Sequence, residues 1–268
     1  MNNTSVPSSS VVLVTPEVAQ GWLNLNTRNR GIRPKAVAGY ARDMAAGQWA
    51  LNGEAIKFAI DGSLLDGQHR LHAVVEAGVP VLLLVVTGLD AAAQETMDSG
   101  RRRTTADAFR LRGEVHSKVL SSVLRRVWMW DQGDHRFSGA ATPTTAECAD
   151  LLVERPEIRR SAEIAGRINT TFRYIPQSVT GTAHHLLSRV DSGQAVWFFA
   201  RLGDGAELPF GHPILTLRTR AMTERADRRS VPDYRYLAYL IRAWNAVRDG
   251  RELGRILQAP DAPMPMPK

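Results

Sequence analysis

The chain has 268 residues and is 44% hydrophobic, which allows one large globular domain or two small ones. Its longest apolar run, residues 79–86, is far shorter than the roughly 20 residues that a membrane-spanning helix needs. Cys148 is the single cysteine, which excludes an internal disulfide and a cysteine-based metal cage. No basic and apolar leader opens the sequence, so we expect a cytoplasmic protein without a membrane partner.

The net charge of +7 is unevenly distributed. Residues 1–100 carry seven basic and nine acidic side chains, whereas residues 101–268 carry 27 basic and 18 acidic ones. All but four of the basic residues are arginines, whose planar guanidinium suits phosphate. The second part of the chain therefore predicts a polyanion such as DNA as a partner, although an arginine-rich composition alone does not require one.

The first third of the chain predicts a small α/β domain over residues 11–106, after a polar and serine-rich lead-in over residues 1–10 that we expect to be disordered. Helix and strand signals follow in alternation. They predict a helix that begins at Thr15-Pro16, a helix over Pro34–Gly47, a strand over Ile56–Ile60, a helix over Gln68–Gly78 and an interior strand over Val81–Val86.

The pattern beyond residue 106 is helical throughout. We predict an all-helical domain over residues 107–258 and a proline-rich tail over residues 259–268, which places the whole chain in the α+β class. Eight helices are predicted: Asp107–Gly113, Ser117–Trp130, Thr144–Glu154, Pro156–Ile168, Ser178–Val190, Gln194–Leu202, Pro213–Arg225 and Tyr234–Arg248.

One pentapeptide, Asp66-Gly67-Gln68-His69-Arg70, concentrates an acid, an amide, an imidazole and a guanidinium around one glycine. Asp-Gly is turn chemistry, so the pentapeptide predicts a junction that leads into a helix. A helix start presents unpaired N–H groups and a positive partial charge, and an arginine beside it favours a phosphate ligand. The alternative is a capped turn whose His69 and Arg70 only cover the helix end.

The pentapeptide resembles the signature of the ParB/sulfiredoxin-like superfamily. The resemblance extends to Asn29-Arg30, to the helix from Pro34, and to Asp98–Thr104, which is similar to an element of phage-type proteins labelled "ParB-like nuclease domain". It implies a small α/β nucleotide-binding domain ahead of the helical one. Gln68 stands where sulfiredoxins carry their catalytic cysteine, which argues against the sulfiredoxin reaction.

The resemblance implies that the site holds ATP or CTP with Mg²⁺. The residues expected to bind the nucleotide are Asn29, Arg30, Gly67, Gln68, His69, Arg70, Asp98, Arg103 and Thr104. Glu54, Asp66 and His69 are the candidate catalytic residues, and Asp66 is the candidate metal ligand, because Mg²⁺ prefers carboxylate and phosphate oxygens. Glu54 can equally be a surface glutamate, and Asp66 can equally order the turn.

Two basic segments are candidates for nucleic-acid contact. They supply Arg101 and Arg102, and further along the chain Arg225, Arg228 and Arg229. Tyr234, Tyr236, Tyr239 and Trp244 follow the second segment, and aromatic side chains among basic ones suit stacking on a nucleic-acid strand. Tryptophans at helical spacing are also typical of a core. Histidine pairs at residues 69 and 72 and at 184 and 185 have no third ligand at a metal-binding spacing.

The resemblance thus implies a nucleoside-triphosphate-binding, ParB-like protein of phage type in a bacterial or phage-infected bacterial cell, acting as an NTPase or phosphotransferase on or near DNA. One alternative is a DNA-binding accessory protein with a non-catalytic pocket. Another is a kinase-like enzyme acting on a small metabolite or a modified nucleotide. The sequence leaves a homodimer open, and it does not favour a nuclease, because no carboxylate cluster of the metal-nuclease kind is recognisable.

Overall fold

The structure is a computed structural model, and it describes residues 6–26, 29, 31–97, 104–139, 141–227 and 231–268. The chain divides into two compact units, Met1–Arg103 and Thr104–Lys268. The described residues contain one four-stranded mixed sheet and eleven α-helices, so the predicted α+β class is confirmed. None of the described helices is both long and apolar enough to cross a membrane.

The first unit contains the sheet, whose strand order is β1-β4-β2-β3. Strands β2 and β4 are parallel and are connected through helix α3, whereas β1 and β3 are antiparallel edge strands. A short 3-10 helix follows the last strand. The elements are β1 (Ser8–Val14), α1 (Pro16–Leu23), α2 (Pro34–Ala45), β2 (Ala55–Ala59), β3 (Leu64–Asp66), α3 (Gln68–Ala77), β4 (Val81–Leu89) and the 3-10 helix Ala91–Thr96.

The predicted helices of the first unit are confirmed, and their ends have local causes. The Thr15 hydroxyl accepts the Val18 N–H at the start of α1, and proline occupies the first turn of both α1 and α2. Two strands escaped prediction. Strand β1 begins at Ser8, which corrects the lead-in expected over residues 1–10, and β3 is only three residues long.

The sheet of the first unit places the core cluster of β2 and α3 on one face and Lys57 on the other. Ile56 and Phe58 of β2 are buried in the same core cluster as Leu71 of α3. Lys57 lies between them in β2, and its side chain faces the other way, because successive side chains in a strand alternate between faces. Its register partner in β3 is Asp66. The charged part of the pentapeptide therefore begins on the face opposite this core.

The second unit is helical in all its described elements. Thr104 and Thr144 begin the first and third of its helices with complete capping boxes. Helix α8 is the most deeply buried, with every side chain from Val179 to Leu187 buried. The helices are α4 (Thr105–Leu111), α5 (Ser117–Asp131), α6 (Thr145–Glu154), α7 (Ile158–Thr171), α8 (Gln177–Ser188), α9 (Ser192–Asp204), α10 (Pro213–Ala226) and α11 (Asp233–Arg248).

Candidate functional site

Gly67 forms the junction between β3 and α3. Its φ is +104°, in the left-handed region that side chains other than glycine rarely adopt. A Cβ atom at this position would lie 2.5 Å from Ile56 Cδ1 and 3.1 Å from Ile56 Cα. Glycine is therefore required twice, once for the turn and once for the close approach of the helix start to β2.

Four charged side chains meet at this junction. Asp66 Oδ2 accepts hydrogen bonds from Lys57 Nζ and from Arg70 Nη2, both at 3.3 Å. Asp66 Oδ1 accepts the N–H of Gly67 at 2.7 Å. Glu54 Oε2 lies 4.0 Å from Arg70 Nη1. We call Lys57, Asp66, Arg70 and Glu54 the α3-start cluster; its formal charges sum to zero.

Arg70 and Glu54 differ most in exposure within the α3-start cluster. The Arg70 side chain is 11% exposed, whereas the Glu54 side chain is 65% exposed. Arg70 Nη1 is buried and has no hydrogen-bond partner among the described residues. A buried guanidinium nitrogen without an acceptor is unfavourable, because its desolvation is not compensated. The cluster therefore presents one unsatisfied donor beside a carboxylate that water reaches freely.

A network of four amide side chains fixes the loop after α1 against the start of α3. Asn29 Nδ2 donates to Asn26 Oδ1 and to the Leu64 carbonyl, both at 2.7 Å. Asn29 Oδ1 accepts from Gln94 Nε2 at 3.0 Å. Asn26 Nδ2 in turn donates to Gln68 Oε1 at 2.8 Å. Asn29 and Gln68, predicted as ligand contacts, are thus engaged in holding these segments together.

His69 is also engaged by the protein. Its Nε2 accepts the backbone N–H of Arg33 at 3.0 Å, just before α2. A nitrogen that accepts carries no proton, so the ring is neutral in this arrangement and only Nδ1 can donate. His69 therefore connects the start of α3 to the start of α2, and its catalytic role stays a prediction from the sequence.

The donors at this site fit Mg²⁺ poorly. Asp66 already accepts from two cationic side chains and one backbone N–H, and a metal ion there would face Lys57 and Arg70. Within the described ranges, no group of three or more metal-ligating side chains comes together. A divalent ion at this site would have to enter with its own phosphate ligands rather than through Asp66.

The remaining predicted nucleotide contacts lie elsewhere or outside the described residues. Thr104 belongs to the second unit, where its hydroxyl caps α4 by accepting the Asp107 N–H and donating to the Asp107 carboxylate. Arg30, Asp98 and Arg103 lie outside the described residues. Of the predicted site residues, the structure brings together Asn29, Glu54, Asp66, Gly67, Gln68, His69 and Arg70.

Sequence reasoning missed Lys57, Asn26 and Gln94. Lys57 has a recognisable signal, since it is the only charged residue in an apolar five-residue strand. Period-two alternation places it opposite to Ile56 and Phe58, on the face that receives Asp66. Asn26 and Gln94 have no such signal, because their partners are 42 and 65 residues away along the chain.

The structure revises the nucleic-acid surface that we predict from the sequence. Tyr236, Tyr239 and Trp244 are buried in the core of the second unit, so they are not available to stack on bases. Arg225 is exposed on α10. Arg101, Arg102, Arg228 and Arg229 lie outside the described residues.

Neither the family models nor the curated proteins nor the solved structures contain a match to this chain.

Proposed function

We propose that the first unit binds a nucleoside triphosphate, ATP or CTP, with its phosphates at the start of α3, in the manner of ParB-like proteins. The observation that supports this best is Arg70 Nη1, which is buried beside the left-handed Gly67 turn and has no hydrogen-bond acceptor in the part of the chain that the structure describes. A phosphate oxygen supplies the missing acceptor, and a guanidinium is the side chain best suited to bind phosphate.

A phosphate can enter this site because the group nearest to Nη1 is replaceable. Glu54 contacts Arg70 only at 4.0 Å and is mostly solvated, so its displacement costs little. Asp66 continues to hold Nη2 and fixes the orientation of the guanidinium. The start of α3 adds the positive end of a helix dipole. The positively charged cluster that results is complementary to a triphosphate.

The reaction we propose for this site is phosphoryl transfer, to water or to an acceptor hydroxyl. Arg70 and the start of α3 would stabilise the negative charge on the transferred group. Glu54, once displaced from Arg70, is the solvated carboxylate that can orient the nucleophile and accept its proton. A divalent ion that accompanies the nucleotide would screen the phosphates.

Calorimetric titration of ATP, CTP, GTP and UTP with Mg²⁺ tests the binding site. We expect saturable binding of ATP or CTP by the wild type, at least tenfold weaker binding by Arg70→Lys, and none by Arg70→Ala. Arg159→Ala is the matched control, because Arg159 also forms an ion pair, with Glu114 of the second unit. If the wild type binds none of the four nucleotides, the proposal is wrong.

Glu54→Gln separates binding from the reaction. Because the substitution removes a negative charge 4.0 Å from Arg70, we expect nucleotide to bind about threefold to tenfold tighter. We expect phosphate release or transfer to fall by at least about a hundredfold, since glutamine cannot act as a base. If Glu54→Gln turns over at the wild-type rate, Glu54 is not catalytic and the site only binds nucleotide.

A second candidate function is DNA binding by the helical unit, with the first-unit site non-catalytic. The exposed Arg225 and the excess of basic residues after residue 100 favour it. It predicts an affinity for duplex DNA that falls steeply with salt and is weakened by Arg225→Ala. It also predicts that added nucleotide and the Arg70→Ala substitution leave the affinity for DNA unchanged. A protein that acts on DNA in a nucleotide-dependent way should change its affinity for DNA in both cases.

A further inference from the structure

Residues 262–268 form a proline-rich segment, which we call the C-terminal strap. Pro263, Pro265 and Pro267 alternate with Met264 and Met266, and no helix or strand includes them. Each proline fixes φ near −65° and removes an N–H donor, which favours a polyproline II conformation. The strap presents carbonyl groups with few donors, so it is recognised through its carbonyls.

Two consecutive residues of α11 hydrogen-bond to the backbone of the strap. Trp244 Nε1 donates to the backbone oxygen of Lys268 at 3.0 Å. Asn245 Nδ2 donates to the Met266 carbonyl at 2.9 Å, and Asn245 Oδ1 accepts the Lys268 N–H at 3.0 Å. The Asn245 amide thus pairs with the backbone on both sides of Pro267.

The other end of the strap is held through Gln258, which is buried. Gln258 Nε2 donates to the carbonyls of Ala262 at 3.0 Å and Pro263 at 3.2 Å. Arg242 of α11 fixes the orientation of this amide by donating twice to Gln258 Oε1, at 3.1 and 2.9 Å. The side chain of Met264 packs against the core between these two anchoring points.

A charge pair completes the contact. Lys268 Nζ lies 2.9 Å from one Asp249 oxygen and 3.1 Å from the other. Arg242, Asn245 and Asp249 are three and four residues apart, so they form one stripe along α11. We call this stripe, with Trp244 and Gln258, the α11 groove.

We propose that the α11 groove is a binding site for extended, proline-rich peptides that carry a basic residue, and that the strap occupies it in cis. Most of its hydrogen bonds go to backbone carbonyls, which any peptide of this class presents. Recognition of a preformed polyproline II segment by tryptophan and amide donors is an established mode of peptide binding. The contacts from Trp244, Asn245 and Asp249 join residues 19 to 24 positions apart in the chain, so a peptide supplied in trans can make the same ones.

The test uses the full chain with its strap weakened by two substitutions outside the groove. Met264→Asp places a charge against the core, and Lys268→Glu faces Asp249 with a like charge. The probe is a fluorescein-labelled peptide of residues 260–268, followed by fluorescence anisotropy. We expect this double variant to bind the probe, and the wild type to bind it at least tenfold more weakly, because the strap competes at a high effective concentration.

Asn245→Ala in the double-variant background should weaken probe binding at least about tenfold, because two hydrogen bonds are lost. Asn169→Ala, which changes a half-buried asparagine on α7, is the matched control and should bind as its parent does. A probe with glycine in place of its prolines should also bind about tenfold more weakly. If the double variant does not fold, the single variant Lys268→Glu replaces it in the binding test, because residue 268 is exposed.

The proposal is overturned if the folded double variant, or folded Lys268→Glu in its place, fails to bind the probe. It is equally overturned if Asn245→Ala leaves binding unchanged, because the peptide would then be held elsewhere. Equal affinity of the wild type and the double variant would also contradict it, since the strap would not occupy the same site.

Discussion

The α3-start cluster and the helical unit each contain an arginine and an acid four residues apart, with opposite outcomes. In the first, Arg70 is the less exposed member, and its Nη1, beside the solvated Glu54, has no hydrogen-bond partner among the described residues. In the second, Glu224 is the buried member, only 6% exposed, and accepts from Arg220 and from the Tyr239 hydroxyl at 2.9 Å. A spacing of four residues therefore predicts an ion pair but does not predict which partner becomes buried. We propose an anion site for the pair in which the arginine is the more buried member.

The free energies of unfolding of the two regions should differ most at acidic pH, because the helical unit buries two adjacent imidazoles. Burial lowers the pKa of both His184 and His185 from 6.5 to about 4. The folded unit keeps them neutral, whereas the unfolded chain takes up two protons as the pH falls below 6.5. The contribution of the two neutral imidazoles to the free energy of unfolding is therefore fully present above pH 6.5. It falls between pH 6.5 and pH 4, by about 3 kcal/mol for each imidazole.

The groups that face the two rings do not offset this loss. Ser161 Oγ lies 2.9 Å from His184 Nδ1, and neither nitrogen of His185 has a hydrogen-bond partner among the described residues. Glu157 lies 3.8 Å from His185, and its charge raises the pKa of that ring less than burial lowers it. Other charged groups near the two rings are Asp131, Arg155, Arg160, Arg167 and Arg189.

His185→Leu tests the acid effect directly. We expect urea unfolding of the variant at pH 7.5 to match the wild type within about 1 kcal/mol, because no hydrogen bond is lost. At pH 5 the variant should be more stable than the wild type by about 2 kcal/mol. The same substitution at His72, half-buried on α3, should leave the acid loss unchanged. A wild-type protein whose stability is constant from pH 7 to pH 4.5 would contradict the prediction.

Glu224→Ala addresses the buried ion pair itself. It leaves the Tyr239 hydroxyl and Arg220 without their shared acceptor, and we expect the free energy of unfolding of the helical unit to fall by about 3 kcal/mol. Glu224→Gln keeps an acceptor and should cost about half as much. The matched change in the first unit, Asp66→Ala, should cost about 2 kcal/mol, because Asp66 is 18% exposed and Glu224 only 6% exposed. Equal losses in chemical denaturation would remove the distinction between the two clusters.

Most helices could be predicted because their signals are local. Thr15-Pro16, Pro34 and the capping box at Thr144 each mark a start within one turn of chain, and the structure confirms them. Strand β3 has three residues and pairs through an irregular register, so no window of sequence contains its signal. Strand β1 begins within serines that are also typical of an unstructured lead-in.

The candidate site could be predicted only in part. The turn at Asp66-Gly67 and the helix after it follow from local chemistry. The burial of Arg70, the approach of Lys57 and the amide network depend on packing between distant segments. The same limit applies to Tyr239 and Trp244, whose sequence context suits both nucleic acid and core until tertiary packing decides.

Gly67→Ala should lower the free energy of unfolding of the first unit by an intermediate amount. The added Cβ combines a strained φ of +104° with a clash at Ile56, and we expect a loss of about 2 kcal/mol. Gly62→Ala is the matched control, because its φ of +82° is also strained but no atom lies within 4 Å of the added Cβ. It should cost about 1 kcal/mol. Because the closest atom is Ile56 Cδ1, Ile56→Val should rescue part of the Gly67→Ala loss, measured as a double-mutant cycle.

Lys57→Met should have the smallest effect on stability and on nucleotide affinity. It tests whether Asp66 affects nucleotide binding mainly by orienting Arg70. Both members of the Lys57–Asp66 pair are partly solvated, so the free energy of unfolding should change by less than about 1 kcal/mol. Asp66 keeps its bond to Arg70 Nη2 in this variant, and the guanidinium keeps its orientation. Nucleotide affinity should therefore stay within about threefold of the wild type. Asp66→Asn, which weakens the hold on Arg70, should reduce nucleotide affinity more than Lys57→Met does. If calorimetry shows the opposite order, Lys57 rather than Arg70 provides the main contact with the phosphates.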